Sequence, residues 1–174
     1  MSKAIFLDRD GTLNVDSGYA HKIEEFALYD DVIEALTLLK NDFKFIIITN
    51  QSGIGRGYYT KEDFQKFNDY LVKELEKHNI KIEKTYCCPH TPEDNCNCRK
   101  PKITSIKQAE KEFNIDLKNS FMIGDHPCDV ELGKNAECKT IYLLTGHGKK
   151  HKKDTLNPDF IANNLLEAAQ WITK

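Results

Sequence analysis

The stretch that decides the fold of this chain is KAIFLDRDGT, residues 3–12, in which an apolar run stops abruptly at acidic side chains. Its first half, from Lys3 to Leu7, has the composition of a short buried strand. Asp8 and Asp10 follow directly, and in an extended segment two residues with this spacing share a face. Polar side chains at the end of a buried strand are typical of parallel sheets, which bind ligands outside the carboxyl ends of their strands.

Apolar patterns with the period of a strand and with the period of a helix alternate along the rest of the chain. Further strands are predicted at residues 43–48, 81–86, 120–123 and 140–144. Amphipathic helices are predicted to begin at or near Asp31, Thr60, Ile103, Pro127 and Leu165. This alternation predicts a Rossmann-like α/β fold with three layers, in which helices cover both faces of a parallel sheet. Because no repeat or linker interrupts the pattern, residues 1–174 are predicted to form a single domain.

The charge and hydropathy of the chain exclude several functional classes. Its 174 residues include 25 basic and 27 acidic side chains, a formal net charge of -2, whereas general binders of nucleic acid or anionic membranes carry a basic surplus. The apolar runs are too short to span a bilayer, and Asp8 interrupts the N-terminal apolar run that a secretory signal peptide would need. We therefore expect a cytoplasmic monomer without nucleic-acid or membrane partners.

Asp8 and Asp10 are suited to nucleophilic and acid–base chemistry at phosphorus. One carboxylate can attack the phosphorus atom while the other moves protons. Two close anions need a cation, and Mg²⁺, which prefers oxygen ligands, is the natural partner. Asp125 supplies a third carboxylate from the end of another predicted strand, and Asp129 follows one helical turn later. The alternative is structural, with a turn after Asp10 and a helix cap at Asp125.

Two further segments carry groups that can bind phosphate. Thr49 begins a hydroxyl and amide cluster that runs into the glycine-rich stretch 53–57, whose backbone N–H groups can approach phosphate oxygens. Thr49 itself can donate a hydrogen bond to a phosphoryl oxygen. Lys100, next to Arg99, can stabilise the charge that spreads over the equatorial oxygens in phosphoryl transfer. The structural alternatives are a flexible loop for the first segment and a solvated basic face for the second.

A group of three thiols and one imidazole indicates a structural metal site. The group consists of Cys88, His90, Cys96 and Cys98. Its spacing allows the chain to fold back around one ion, and three thiolates with one imidazole form a closed Zn²⁺ site without an open position for catalysis. Such a site would clamp the loop that carries Lys100. Cys87 is expected to point away from it, and Cys128 and Cys138 are expected to be small buried side chains.

Three histidines near the predicted strand ends allow more than one interpretation. His126 follows Asp125 directly, and either it touches the phosphate or substrate or it caps the helix that starts next to it. His147 and His151 belong to a lysine-rich segment, residues 147–153. We expect this segment to be a solvated surface loop, with substrate contact as the alternative.

Together these segments resemble the haloacid dehalogenase (HAD) superfamily of phosphatases with an aspartate nucleophile, whose first motif is similar to FLDRDGTLN at residues 6–14. The resemblance narrows to the D-glycero-D-manno-heptose 1,7-bisphosphate 7-phosphatases and is collinear from about residue 4 to about residue 148. The segments that carry it are TNQSGIGRG at 49–57, CPH at 88–90, CNCRKP at 96–101 and GD at 124–125. It implies a HAD-type fold without a large cap. It also implies a Mg²⁺-dependent phosphatase for a small sugar phosphate, acting in the synthesis of nucleotide-activated heptose for lipopolysaccharide or capsule.

The resemblance also implies a role for each matching residue. Asp8 would be the nucleophile that becomes an aspartyl phosphate, and Asp10 the general acid and then the base for the hydrolytic water. Thr49 and Lys100 would stabilise the transferring phosphoryl group. Mg²⁺ would be held by Asp8, by the backbone carbonyl of Asp10 and by Asp125, and Zn²⁺ by Cys88, His90, Cys96 and Cys98. The residues expected to contact the substrate are Asp16, Ser17, Gly18, Tyr19, Asn50, Gln51, Ser52 and Arg99, with His126 as a further candidate.

Some features depart from that family or leave alternatives open. Many relatives carry a substrate-binding lysine where this chain has His126, and the zinc loop is short, with five residues between His90 and Cys96. Histidinol-phosphate phosphatases share the nucleophile motif and a zinc loop, but generally have an aspartate where this chain has Ser52. Ser52 therefore favours the heptose interpretation, with a phosphatase for histidinol phosphate or another small phosphomonoester as one alternative. A phosphoacceptor domain of receiver type is another, although its phosphorylated aspartate comes from a later strand.

Overall fold

Strand β1 (Lys3–Leu7) lies in the middle of a six-stranded parallel sheet in the computed structural model of the chain, which describes residues 1–155 and 157–174. The other strands are β2 (Phe43–Asn50), β3 (Ile82–Cys88), β4 (Phe121–Gly124), β5 (Lys139–Leu143) and β6 (Phe160–Ala162). Their order across the sheet is β3-β2-β1-β4-β5-β6. The chain therefore fills one side of β1 first and then the other, and the boundary between β1 and β4 is the point at which such sheets form a ligand crevice.

The described residues form seven α-helices. They are α1 (Val32–Leu39), α2 (Ser52–Gly55), α3 (Lys61–Glu76), α4 (Thr104–Phe113), α5 (Pro127–Asn135), α6 (Gly148–His151) and α7 (Leu165–Ile172). Alternate side chains of β1 enter opposite cores, because successive residues of a strand point to opposite faces. Ile5 and Leu7 pack with α1, α3 and α7, whereas Ala4 and Phe6 pack with α4 and α5. The predicted three-layer α/β fold is thus confirmed.

The predicted strands and helices are confirmed with small shifts at their ends, but three short elements lie outside the prediction. Helix α2 occupies the start of the glycine-rich stretch, helix α6 occupies part of the lysine-rich segment, and β6 extends the sheet beyond β5. Each has only three or four residues, which is too short to show a helical or strand period in the sequence.

Two connections at the carboxyl edge of the sheet are long loops that each contain a single turn of 3₁₀ helix. The connection from β1 to α1 contains the turn Ile23–Glu25, and that from β3 to α4 contains Pro92–Asp94. Within residues 1–155 and 157–174, neither connection holds a second sheet or an α-helical cap. In the same part of the chain, no helix combines the length and the hydropathy that a bilayer span requires.

Asp31 links two helices that are far apart in the sequence. It stands at the N-cap position of α1, as its place in the sequence suggests, but its side chain makes no capping bond to that helix. Its Oδ2 instead accepts the backbone N–H of Leu166 at 2.9 Å, in the first turn of α7. The first N–H groups of a helix lack partners within the helix, so this carboxylate satisfies one of them and joins α7 to α1.

We expect Asp31→Ala to lower the free energy of unfolding by about 0.5–2 kcal/mol, the usual effect of losing a helix cap. The amide of Leu166 should exchange its hydrogen faster, because its acceptor is gone. Urea denaturation and hydrogen exchange would measure the two effects, with Asp30→Ala as the control because Asp30 is the exposed neighbour. Lost protection in the first turn of α1, with Leu166 unchanged, would contradict the assignment.

Candidate active site

A cavity of about 400 Å³ opens at the carboxyl edge of the sheet. Most residues of the predicted site line it: Asp8, Asp10, Asp16, Gly18, Tyr19, Thr49, Asn50, Gln51, Ser52, Arg99, Lys100, Asp125 and His126. Ser17 is exposed and does not belong to the lining formed by the described residues. The strand ends therefore bring together side chains from the first third, the middle and the last third of the chain.

Three carboxylates converge at this cavity around one ammonium group. Asp8 follows β1, Asp125 follows β4 and Asp129 lies in α5, and one oxygen of each lies within 4.8 Å of the others. The Nζ atom of Lys100 is 2.9 Å from Asp8 Oδ1 and 2.7 Å from Asp129 Oδ1. The buried ammonium can neutralise only one of the three negative charges, so the ionised cluster has an excess of negative charge.

Burial and the neighbouring charges change the acidity of these groups. Burial raises the pKa of Asp8 to about 7, although the neighbouring Lys100 ammonium acts in the opposite direction. Burial also raises the pKa of Asp125 to about 8, and the negative charges of Asp8 and Asp129 add to the effect. A bound divalent cation would favour the ionised forms, and a set of carboxylate oxygens is the donor set that Mg²⁺ prefers. The cluster therefore fits a divalent metal ion.

The backbone around Asp125 is packed so closely that only glycine fits next to it. Gly11 has a φ of +80°, and a Cβ atom at this position would collide with the Asp125 carboxylate. Thr145 Oγ1 donates to the carbonyl oxygen of Gly11 at 2.6 Å, and the backbone N–H of His147 donates to Asp125 Oδ2 at 2.7 Å. The loops that follow β1 and β5 thus enclose the carboxylate from two sides.

Asp10 has surroundings quite different from those of Asp8. Its Oδ1 accepts hydrogen bonds from Arg9 Nε at 3.1 Å and from Asn14 Nδ2 at 2.9 Å. Its Oδ2 accepts from Arg9 Nη2 at 2.9 Å and from Gln51 Nε2 at 2.8 Å. The carboxylate keeps an exposed edge on the cavity, with 18% of the side chain accessible. Its orientation is therefore set by hydrogen bonds from three side chains.

The amides of the last residue of β2 and of the residue after it bind other residues of the protein. Gln51 is 3% exposed, and its Nε2 donates to Asp10 Oδ2 and, at 2.7 Å, to Thr49 Oγ1. Its Oε1 accepts the hydroxyl of Tyr59 at 2.5 Å. Asn50 Oδ1 accepts the backbone N–H of Lys100 at 3.0 Å. Both side chains were expected to contact substrate, and in this structure their hydrogen bonds hold the other side chains of the site.

The four predicted zinc ligands form a compact cluster. They are Cys88, His90, Cys96 and Cys98, each with one ligand atom within 4.8 Å of the others. The sulfur of Cys88 lies 3.5 Å from that of Cys96 and 3.1 Å from that of Cys98, and His90 Nδ1 lies 3.2 Å from Cys98 Sγ. A tetrahedral ion with Zn–S bonds of about 2.3 Å separates its sulfurs by about 3.8 Å. These free thiols and the imidazole thus fit a tetrahedral metal ion after a small expansion.

The thiol cluster is coupled to the cavity through the residues that follow it. Arg99 comes directly after Cys98 and donates from Nη1 to the carbonyl oxygen of His90 at 3.2 Å. Lys100 follows with its side chain in the carboxylate cluster. Cys87 lies outside the group of four, as predicted. The cluster therefore lies directly before the loop that carries Arg99 and Lys100, as a clamp on that loop would require.

His126 caps a helix, one of its two expected roles, and also borders the cavity. Its Nδ1 accepts the backbone N–H of Cys128 at 3.4 Å, and its own N–H donates to Asp129 Oδ2 at 3.1 Å, which caps helix α5. The same side chain lines the cavity. Burial, together with nearby His151, lowers the pKa of His126 and favours the neutral imidazole. Cys128 also lines the cavity and is only half-buried, which corrects its expected burial.

The lysine-rich segment at residues 147–153 is mostly exposed, as expected, and its first residue also borders the cavity. His147 lines the cavity, and its Nε2 lies 3.1 Å from Asp16 Oδ2. The sequence held a clue, because His147 comes shortly after a predicted strand, as Asp8 and Asp125 do. Tyr59 also lines the cavity, but no pattern in the sequence points to it, since its position depends on how α2 turns the chain.

Comparisons with known proteins agree with this geometry. A family model described as HAD-hydrolase-like matches residues 97–168. The D-glycero-beta-D-manno-heptose-1,7-bisphosphate 7-phosphatase of Helicobacter pylori is 43% identical over 173 residues, which cover 98% of this chain and 97% of that protein. The D-glycero-alpha-D-manno-heptose-1,7-bisphosphate 7-phosphatase of Campylobacter jejuni is 45% identical over 150 residues, 86% of each chain.

A solved structure supports the same relationship. The crystal structure of D,D-heptose 1,7-bisphosphate phosphatase from B. bronchiseptica, complexed with magnesium and phosphate, matches with a TM-score of 0.90 and 27% identity over 98% of each chain. Sequence similarity extends over nearly the whole chain, and the fold agrees as well. The protein therefore belongs to the heptose-1,7-bisphosphate 7-phosphatase family of HAD-like hydrolases.

Proposed function

We propose that this protein is a Mg²⁺-dependent phosphatase that removes the 7-phosphate of D-glycero-D-manno-heptose 1,7-bisphosphate through an aspartyl-phosphate intermediate. The observation that carries the proposal is the carboxylate of Asp8 at the cavity, 2.9 Å from the ammonium of Lys100 and beside Asp125. This is an anionic nucleophile next to the cations that phosphoryl transfer requires. The H. pylori and C. jejuni relatives are named for this reaction.

Asp8 is the proposed nucleophile. Its carboxylate oxygen attacks the phosphorus atom, the bond from phosphorus to the sugar oxygen breaks, and an aspartyl phosphate forms. The Lys100 ammonium and the Thr49 hydroxyl stabilise the negative charge on the transferring oxygens. Lys100 is well suited to this task, because Asp129 and the backbone contact with Asn50 hold it in place.

Asp10 is the proposed acid and base. It gives a proton to the sugar oxygen as that oxygen leaves, and it then takes a proton from the water that attacks the aspartyl phosphate. This second step releases inorganic phosphate and restores the carboxylate of Asp8. The two aspartates can divide these tasks because one faces Lys100 while the other is held by Arg9 and Gln51.

Two metal ions complete the proposal. Mg²⁺ would be held by Asp8, Asp125 and the backbone carbonyl of Asp10, and it would neutralise charge on the phosphoryl oxygens. Zn²⁺ would be held by Cys88, His90, Cys96 and Cys98 as a closed structural site. Its role would be to keep Lys100 in position. Cysteines that bind zinc must stay out of disulfides, which suits a reducing compartment and supports a cytoplasmic location.

The proposed substrate is a small sugar bisphosphate, in keeping with a cavity of about 400 Å³. The residues proposed to contact it are Asp16, Ser17, Gly18, Tyr19, Asn50, Gln51, Ser52, Arg99 and His126. The two relatives named above act, by name, on opposite anomers of the heptose. Both anomers therefore belong in the test of the proposed function.

The decisive test measures phosphate release with Mg²⁺ from both anomers of heptose 1,7-bisphosphate, from histidinol phosphate and from an aryl phosphate. We expect kcat/KM for one heptose anomer to exceed that for histidinol phosphate by at least about 100-fold. A polar site strongly rejects a substrate that leaves the hydrogen-bonding groups of the site without partners. Preference for histidinol phosphate would overturn the substrate. Phosphate that stays on the protein would instead support the receiver-type alternative.

Asp8→Asn should lower kcat at least about 1,000-fold, because the amide has the shape of the carboxylate but is not a competent nucleophile. The variant should melt at no lower temperature than the native protein without metal, since it removes one charge from the crowded carboxylate cluster. Steady-state kinetics and thermal denaturation would measure these effects, with the exposed Asp30→Asn as the matched control. Substantial turnover by Asp8→Asn would exclude Asp8 as the nucleophile.

Elemental analysis should find about one zinc per chain, and Cys98→Ser should lose it. Activity at saturating Mg²⁺ should fall together with zinc content, because the loop that carries Lys100 loses its clamp. Cys87→Ser is the matched control, since Cys87 lies next to the cluster but outside it, and it should retain both zinc and activity. A zinc-free protein that is folded and fully active would rule out the proposed clamp.

A further inference from the structure

Arg9 is a guanidinium group without access to solvent. Its exposed fraction is 0%, and it is the largest of the completely buried side chains among the described residues. Nε and Nη2 donate to the two different oxygens of Asp10, at 3.1 and 2.9 Å. Nη2 also donates to the carbonyl oxygen of Ala20 at 3.0 Å and to Gln51 Oε1 at 3.3 Å. The guanidinium thus contacts both ends of a single carboxylate and is itself held by other groups.

Aromatic rings of helix α3 form the other side of this arrangement. The guanidinium carbon lies 4.7 Å from the ring centre of Phe67 and 5.2 Å from that of Phe64. Arginine stacks favourably on such rings, and its planar fork matches the two oxygens of a carboxylate. Between the rings and Asp10, the guanidinium has little freedom to rotate. The orientation of the Asp10 carboxylate is therefore determined by a rigid partner.

Stability does not account for this arrangement well. Within residues 1–155 and 157–174, the Nη1 atom of Arg9 has no hydrogen-bond partner, and a buried unpaired donor costs free energy. Buried ion pairs often stabilise a fold less than apolar side chains of similar volume. The position nevertheless holds an arginine whose fork fits Asp10. Arg9 is fully buried and, unlike Lys100 and Gln51, it does not belong to the lining of the cavity formed by the described residues.

We propose that Arg9 is the positioning residue that aims Asp10 at the leaving oxygen. This inference rests on the proposed function, in which Asp10 gives its proton to that oxygen as the phosphorus–oxygen bond breaks. The contribution of Arg9 then depends on the leaving group. An alkoxide needs the proton in the transition state, whereas a nitrophenolate leaves without it. A purely structural role would affect both kinds of substrate equally.

The test compares kcat/KM for an alkyl or sugar phosphate with kcat/KM for 4-nitrophenyl phosphate in the full chain with Mg²⁺, because kcat/KM reports formation of the aspartyl phosphate and not its later hydrolysis, which is the same for both substrates. Arg9→Lys keeps the charge but loses the planar fork. We expect its kcat/KM to fall about 100-fold or more on the alkyl substrate and less than about 10-fold on the aryl substrate, in line with the usual size of general acid catalysis. Equal losses on the two substrates, or no loss, would overturn the proposal.

Two further variants separate this inference from the proposed function. Asp10→Asn should show the same dependence on leaving group. Adding Arg9→Lys to it should cause little further loss of kcat/KM, because both changes remove the same proton transfer. If Asp10→Asn shows no such dependence, the proposed acid role fails and the Arg9 inference falls with it. If only Arg9→Lys lacks it, the acid role stands and the inference alone is wrong.

Phe67→Leu and Leu39→Ala keep the test decisive should Arg9→Lys fail to fold. Phe67→Leu leaves the guanidinium in place but removes the ring beneath it, so it should shift the alkyl-to-aryl ratio of kcat/KM in the same direction by a smaller factor. Leu39→Ala weakens the buried core around α1, far from the cavity, and should lower Tm without changing the ratio. An unchanged ratio in Phe67→Leu would contradict the proposal.

Discussion

The constraint on which the rest of the structure depends is the crowding of Asp8, Asp125 and Asp129 around the single ammonium of Lys100. Three buried carboxylates with one cation are unfavourable without a further positive charge. Burial raises the pKa values of Asp8 and Asp125, and the neighbouring carboxylates add to the effect. The parallel sheet makes the arrangement possible, because neighbouring strands end at one edge. A divalent cation would offset the resulting deficit of positive charge, as the chemistry of phosphoryl transfer requires.

Several features away from the cavity serve to keep that cluster in place. Gly11 leaves room for Asp125, and the backbone of His147 binds it from the other side. Asn50 holds the backbone of Lys100, which stands two residues after the last thiol of the cluster. A site with an unfavourable local charge balance therefore depends on rigid surroundings, consistent with the view that preorganised charges are the main source of catalytic power.

The two aspartates of the first motif show how one short segment can supply two different chemical groups. Asp8 and Asp10 are only two positions apart, yet the first faces Lys100 and the second is held by Arg9, Asn14 and Gln51. A carboxylate near a lysine and other carboxylates suits attack on phosphorus. A carboxylate fixed by hydrogen bonds suits directed proton transfer. The assignment of different roles to identical side chains is therefore a property of their surroundings.

The sequence by itself determined the alternation of strands and helices, the carboxylates at the strand ends and the thiol cluster, because each depends on local periodicity or on spacing within about a dozen residues. Only the tertiary structure decided that Asp31 caps α7, across 135 residues, and that His147 reaches Asp125, across 22. It also decided that Gln51 binds Asp10 rather than solvent. A buried hydrogen-bond donor needs an acceptor, and the packing of distant elements decides which group that is. Because these partners are far apart in the sequence, no local pattern predicts the pair.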